Sequence, residues 1–135
     1  PYRDSRFKVG EDMYALLGIG REDKPARFAH LARNFSFFDA PSAFFCFVDR
    51  QMGPPQWSDL GMFLQTFMLL AEEAGLSTCA QEAWANRPAA VADFVGAGPE
   101  LMLFCGMAVG YKDDSKPVNE LVSDRAPLED WAKFV

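Results

Sequence analysis

Hydrophobic and polar residues fall into distinct blocks along this 135-residue chain, and the blocks predict both strands and helices. Two runs are apolar almost without interruption, SAFFCFV at residues 42–48 and LMLFCGMAVGY at residues 101–111. Continuous apolar runs of this kind, bounded by turn-forming or charged residues, are typical of strands buried on both faces. We therefore predict two buried strands at these positions.

A long apolar segment between the two runs predicts the main helix, over residues 58–74. Ser58 is a suitable N-cap and Gly75 a suitable C-terminal stop. Apolar residues cover nearly the whole circumference of this helix, which indicates burial on several sides. The helix lies either at the centre of one subunit or against a second subunit, and both can be true together.

The other segments predict shorter elements and a single α+β domain over residues 1–135. In chain order we expect an irregular arm at 1–10, a short helix at 11–17, a helix at 24–34, a loop or single turn at 77–84, a short helix at 87–95, a polar turn-rich segment at 112–127 and a short helix or arm at 128–135. Two strands alone make a poor sheet. We therefore expect further strands from a missing segment or from a partner.

Composition and charge narrow the classes of function. Half of the residues are hydrophobic and the formal net charge is −6, so a disordered chain is excluded. An acidic domain suits neither nucleic acid nor an anionic membrane surface, and we expect neither as a partner. Three cysteines without a CxxC motif and a single histidine, His30, argue against a zinc site or a disulfide framework. Reduced thiols fit a cytoplasmic protein.

Self-contained catalytic motifs are missing from the sequence. There is no GxSxG, no HExxH and no Walker A loop, and the acidic pairs at 72–73, 113–114 and 129–130 read as solvated surface. We expect no catalytic side chain and no metal. An enzyme of this composition needs a cofactor to supply the reactivity.

Three segments, in order and spacing, resemble the FMN-dependent nitroreductase family. The long helix running into GLSTC at 75–79 resembles the family's dimer helix and the loop after it. The strand at 102–110 resembles a late family strand with a G-x-A-x-G-Y ending. The third segment contains Pro117, Val118 and Asn119, followed by residues 123–127, and resembles the family's P-x-N … R-x-P segment.

This resemblance implies a fold, a cofactor and an activity. The fold is a three-layer α/β/α sandwich, with the long helix at the interface of a homodimer and FMN bound between the subunits. The implied activity is a ping-pong oxidoreductase: NAD(P)H passes a hydride to the flavin, which reduces a small-molecule acceptor such as a nitroaromatic compound or a quinone. The cofactor-binding residues implied are Ala80, Gln81, Glu82 and Ala83, beside the flavin ring, and Arg125, on the FMN phosphate.

The sequence departs from the family pattern at several positions. The family's upstream R-R-S-x-R motif has no counterpart, Ser123 stands where a basic residue is common, and Ala83 stands where glycine is common. We assign no cofactor role to the similar residues 3–6. Together with the absence of an initiator methionine and the shortage of strands, the missing motif leads us to expect the C-terminal part of a subunit. Two alternatives stay open, a cofactor-free dimerisation module and an unrelated ligand-binding α+β domain.

Overall fold

A computed structural model of the chain describes residues 2–135, except for the side chain of Tyr2, and contains both helices and strands. The chain divides into two compact units. One contains the residues up to Phe28 together with Asp113–Val135, and the other is Ala29–Lys112. The expected single domain over 1–135 stays a prediction.

The unit Ala29–Lys112 contains a three-stranded antiparallel sheet. Its strands are β1 (Ser42–Asp49), β2 (Ser77–Gln81) and β3 (Leu101–Gly110), in the order β1-β3-β2. The prediction of a loop or single turn at 77–84 is therefore wrong for β2, which pairs with β3 along its whole length. The chain itself supplies a third strand, so the expectation of only two was also wrong.

Burial in the sheet follows the position of each strand. β3 is the central strand, and most of its residues from Leu103 to Ala108 are buried. β1 lies at an edge, and Cys46 is its only buried residue. The prediction that both apolar runs are buried on both faces is wrong for β1, because side chains of an edge strand have neighbouring side chains on one side only, on each face of the sheet.

Two helices of this unit each begin at a proline. α3 spans Pro54–Glu73, so it begins four residues before the predicted Ser58. Its first turn contains Pro54 and Pro55, and the Gln56 side chain accepts a hydrogen bond of 3.2 Å from the Gly53 N–H. α4 spans Pro88–Val95, close to the predicted helix at 87–95.

α3 packs against one face of the sheet with one side only. The core contains buried Cys46, Leu64, Cys105 and Met107, and Phe67 of α3 meets Phe44 of β1 edge to face at 4.9 Å. The opposite side of α3 exposes large apolar residues, namely Met62, Phe63, Leu69 and Leu70. The predicted burial on several sides is not found within this chain. None of the described helices combines the length and the apolar composition that a membrane span needs.

The other unit contains α1 (Tyr2–Leu16), so the predicted irregular arm is wrong for residues 2–10, and Pro1 lies outside the described residues. Lys8 and Asp12 form an ion pair of 2.8 Å one turn apart, a spacing that stabilises helices. The Arg27 guanidinium lies 4.0 Å from the centre of the Tyr14 ring and 3.2 Å from a Glu11 oxygen. These contacts explain order that hydrophobic periodicity alone does not indicate.

Two further segments differ in detail from the expectations. α2 spans Lys24–Ala32 and is followed by a 3-10 helix at Arg33–Asp39, whereas one helix was predicted over 24–34. At the C-terminus a short 3-10 helix covers Leu128–Asp130, in agreement with the predicted short helix or arm.

Candidate functional site

The residues predicted to lie beside the flavin ring form a strand end and the start of a helix. Ala80 and Gln81 close β2, and Glu82 and Ala83 open a 3-10 helix at Glu82–Asn86. Ala80 and Glu82 are exposed, Ala83 is half-buried and Gln81 is 2% exposed. We call residues 80–83 the 80–83 segment. Its exposed backbone lies at the end of an ordered strand, which is a more rigid setting than the predicted loop.

The side chain of Gln81 points into the protein. Its Nε2 donates a hydrogen bond of 3.2 Å to the backbone carbonyl of Asn34, which lies 47 residues away in sequence. Its Oε1 is buried and has no hydrogen-bond partner among the described residues. Gln81 therefore connects the 80–83 segment to the 3-10 helix Arg33–Asp39 at the cost of one unpaired acceptor.

Four aromatic side chains pack together, and one of them, Trp84, directly follows the 80–83 segment in sequence. We call Phe35, Phe37, Phe45 and Trp84 the aromatic cluster. The Phe37 ring stacks on Trp84 with centroids 4.8 Å apart, while Phe35 and Phe45 meet Trp84 edge to face at 5.2 and 5.0 Å. These are the favourable geometries of aromatic pairs. The cluster holds Trp84 from three sides.

The Trp84 ring packs directly against the backbone of Gly106 in β3. Phe45, Gly106 and Gln81 are register partners across the three strands, so they form one row on one face of the sheet. A Cβ at residue 106 would lie 2.5 Å from Trp84 Cδ1. Glycine is thus required where the ring lies directly on the strand. The Trp84 Nε1 is buried and lacks a hydrogen-bond partner among the described residues.

A left-handed turn presents Phe37 to Trp84. Phe37, Phe38 and Asp39 have positive φ angles of 51°, 53° and 66°. Such angles are uncommon for residues other than glycine and persist where surrounding contacts enforce them. Here the enforcing contacts are the Phe37 stack on Trp84, the His30–Phe38 ring contact at 5.7 Å and the Arg33–Asp39 ion pair at 2.9 Å.

Arg125, the predicted phosphate ligand, belongs to the other compact unit. Its Nη1 donates hydrogen bonds to the Ser123 and Asp124 carbonyls, at 3.1 and 3.2 Å, and to the Ser123 hydroxyl. The neighbouring Asp124 carboxylate pairs with Lys8 at 3.1 Å. Because Lys8 already compensates Asp124, the acidic neighbour competes less for the Arg125 guanidinium.

A cavity of about 190 Å³ lies in the same unit as Arg125, and two of its lining residues directly precede Arg125 in sequence. It is lined by Ser5, Arg6, Lys8, Val9, Asp12, Ser123 and Asp124. Two basic and two acidic side chains balance in this lining, so the cavity has no net charge that selects an anion. The residues 3–6 to which we assigned no cofactor role thus gain no support as a phosphate site.

The two buried cysteines, Cys46 and Cys105, lie in the core of the sheet. Cys46 and Cys105 are register partners on β1 and β3 and face α3. Burial, with the Cys46 thiol nearby, raises the pKa of Cys105 to about 11, so its reactive thiolate is scarce at neutral pH. Burial also lowers the pKa of His30. Among the described residues, no group of three or more His, Cys, Asp or Glu is placed to hold a metal ion.

Comparison with known proteins gives one consistent family. The profile described as the Nitroreductase family matches residues 7–111. A 4-nitrobenzoate reductase of Pseudomonas putida is 35% identical over 134 residues, which are 99% of this chain and 59% of that enzyme.

Solved structures give the same result. The FMN- and NADPH-dependent nitroreductase NfnB of Sphigopyxis sp. strain HMH superposes with a TM-score of 0.97 at 44% identity, over 100% of this chain and 60% of that one. The FMN-dependent nitroreductase NfnB of Mycobacterium smegmatis, in complex with NADPH, has a TM-score of 0.93 at 26% identity, over 98% and 60%. The chain therefore spans about 60% of the length of these relatives.

Proposed function

The chain belongs to the nitroreductase family, and from this premise we propose that it acts in an FMN-dependent oxidoreductase that uses NAD(P)H to reduce nitroaromatic, quinone or related acceptors. The nitroreductase fold predicted from the resemblance and the α+β class predicted from the order of the elements are confirmed. The observation that carries the proposed activity is the match over the whole chain, at 44% identity, to an FMN- and NADPH-dependent nitroreductase.

The residues present fit an FMN molecule. In the 80–83 segment, Gln81 is the N-cap residue of a 3-10 helix without a side-chain cap, so the first N–H groups of that helix are available to polar atoms of a flavin ring. The exposed Ala80 and Glu82 leave this backbone accessible. Bound FMN supplies the electron and hydride transfer, while the chain binds and orients it.

Arg125 is the proposed phosphate ligand. A planar guanidinium binds phosphate oxygens through two parallel N–H···O bonds, which fixes both position and orientation. Its Nη1 contacts to residues 123 and 124 restrain the side chain before a ligand arrives. The Lys8–Asp124 ion pair reduces the electrostatic cost of bringing a phosphate close to Asp124.

The exposed apolar side of α3 supports a homodimer. Met62 and Leu69 lie two helical turns apart on the side opposite Leu64, and Phe63 and Leu70 flank them. Neighbouring large apolar side chains exposed on one side of a helix are typical of an interaction site. A second copy of the same helix offers a matching stripe, as two-fold symmetry requires. We propose that FMN binds at the resulting interface.

Flavin content and turnover of the purified native protein test this function. We expect a yellow protein with flavin absorbance that oxidises NADPH only when a nitroaromatic acceptor such as 4-nitrobenzoate is added. NADPH is tested first because one similar enzyme is NADPH-dependent and the other was solved in complex with NADPH. A colourless dimer that takes up no added FMN would contradict the enzyme and leave a cofactor-free dimerisation module.

The kinetic order and the location are separate parts of the proposal. A ping-pong cycle requires that NADPH reduce the flavin and leave before the acceptor reacts. Initial rates at several fixed acceptor concentrations then give parallel double-reciprocal lines, whereas intersecting lines contradict the ping-pong order. The proposed cytoplasmic location is checked by cell fractionation.

A further inference from the structure

We propose that Gln81 is a positioning residue: its buried side chain, with Trp84, holds the backbone of Glu82 and Ala83 in the conformation that receives the flavin. This inference rests on the proposed function. It differs from the contact implied by the family resemblance, because it assigns a role to the side chain of Gln81, which points away from the exposed surface.

The first support for this role is a long-range hydrogen bond. Gln81 Nε2 donates to the Asn34 carbonyl at 3.2 Å, and 47 residues separate the two positions in sequence. Asn34 lies in the 3-10 helix Arg33–Asp39, which also contains Phe37. One carboxamide therefore joins the end of β2 to the segment that stacks on Trp84.

The second support is the aromatic cluster on the other side of Glu82 and Ala83. Trp84 stacks on Phe37 at 4.8 Å and lies against Gly106, the register partner of Gln81. Residues 82 and 83 are thus held at both ends, by a hydrogen bond before them and by ring packing after them. A two-residue backbone fixed at both ends has little freedom to rotate its N–H groups.

The third support is that stability alone does not explain a glutamine here. Gln81 is 2% exposed, and its Oε1 has no partner among the described residues. A buried acceptor without a partner destabilises a fold, and an apolar side chain of similar shape avoids that cost. A residue that is unfavourable for folding but placed beside a proposed cofactor site indicates a functional requirement.

The test compares Gln81→Met with Gln56→Met in the native protein. Methionine has nearly the shape of glutamine and lacks the amide. Gln56 is a matched control because it also makes a half-buried side-chain-to-backbone hydrogen bond of 3.2 Å, at the start of α3. In flavin-free protein, we expect Gln81→Met to speed hydrogen exchange of the Arg87 N–H, which donates to the Trp84 carbonyl at 2.8 Å, about tenfold, the factor for roughly one lost hydrogen bond. Gln56→Met leaves exchange there unchanged.

The FMN-bound protein gives the second readout. Gln81→Met should move the flavin midpoint potential by about 30 mV, which for a two-electron couple corresponds to a tenfold change in relative binding of the two redox states. Gln56→Met should not move it. Unchanged exchange and unchanged potential in Gln81→Met would overturn the positioning role while leaving the proposed function intact. A wild-type protein that binds no FMN would overturn both.

A second variant keeps the inference testable if Gln81→Met folds poorly. In Gln81→Glu a protonated carboxyl can still donate to the Asn34 carbonyl, whereas a carboxylate cannot. Burial favours the neutral acid, so the donor is present at low pH and is lost as the pH rises through a raised pKa. Exchange of the Arg87 N–H should therefore become pH-dependent beyond its normal base catalysis. A wild-type pH profile in Gln81→Glu would contradict the role.

Discussion

At the scale of single residues, the contact between Gly106 and Trp84 shows how one absent side chain allows a site to form. The ring occupies the space that a Cβ at residue 106 would fill, with Cδ1 only 2.5 Å from that position. Three aromatic neighbours prevent the ring from moving away. The position of Trp84, and with it the turn that begins at Glu82, therefore depends on a glycine in the central strand.

We predict that Gly106→Ala destabilises the protein and displaces Trp84. The added methyl group forces the ring out of a well-packed cluster, which costs about 1–3 kcal/mol of unfolding free energy. Urea denaturation measures this cost. Gly10→Ala is the control, since nothing lies within 4 Å of a Cβ there and alanine favours the helix α1 by about 0.5–1 kcal/mol. Equal stabilities of the two variants would argue against the close packing.

We predict that stability falls between about pH 9 and pH 11 through Cys105. Burial raises the pKa of its thiol from an ordinary value of 9.0 to about 11 in the folded protein. The unfolded chain loses this proton first, so the folded state binds more protons in this window and its stability decreases as the pH rises. Two pKa units correspond to about 1–3 kcal/mol. Unfolding of Cys105→Ala at about pH 8.5 and about pH 10.5 should show a shallower decrease than wild type; parallel decreases contradict this assignment.

At the scale of elements, the hydrophobic pattern predicts the strands and helices that are rich in apolar residues. The strands near 42–48 and 101–111 and the helix near 87–95 are found within two residues of their predicted bounds. β2 was missed because STCAQ has small and polar residues, and only pairing with β3 makes it a strand. The first part of α1, over residues 2–10, was missed because ion pairs such as Lys8–Asp12, and not an apolar stripe, accompany its helical order, whereas the predicted short helix at 11–17 overlaps the end of α1.

The candidate site was predicted only in part, and for a physical reason. The family resemblance pointed to residues 80–83 and Arg125, and their role stays a prediction. The aromatic cluster was not predicted, since Trp84 is distant in sequence from Phe37 and Phe45 and meets them only through strand register and a left-handed turn. Aromatic density at residues 35–47 was the one available signal. Periodicity does not report contacts of this range.

We predict that mutations on the two sides of α3 affect different properties, association on the exposed side and unfolding free energy on the buried side. Leu69→Glu places a charge on the exposed side, where Leu69 is 62% exposed, and should convert the proposed dimer to monomers with little loss of unfolding free energy in the monomer. Leu64→Ala removes a side chain that is 7% exposed and should cost about 2–5 kcal/mol. Sedimentation and urea denaturation distinguish these effects. A Leu69→Glu protein that stays dimeric would exclude this interface.

At the scale of the whole molecule, FMN that binds the folded protein should stabilise it against unfolding. A ligand that binds only the folded state adds RT ln(1 + [L]/Kd), about 2.7 kcal/mol at a concentration of about one hundred Kd. We expect FMN to raise the melting temperature of wild type, and less so in Arg125→Ala. Arg21→Ala removes the same charge from the same unit and serves as the control against the net charge of −6. FMN shifts as large as that of wild type in both variants would mean that the phosphate binds elsewhere. A shift reduced equally in both would mean that overall charge, not the Arg125 guanidinium, attracts the cofactor.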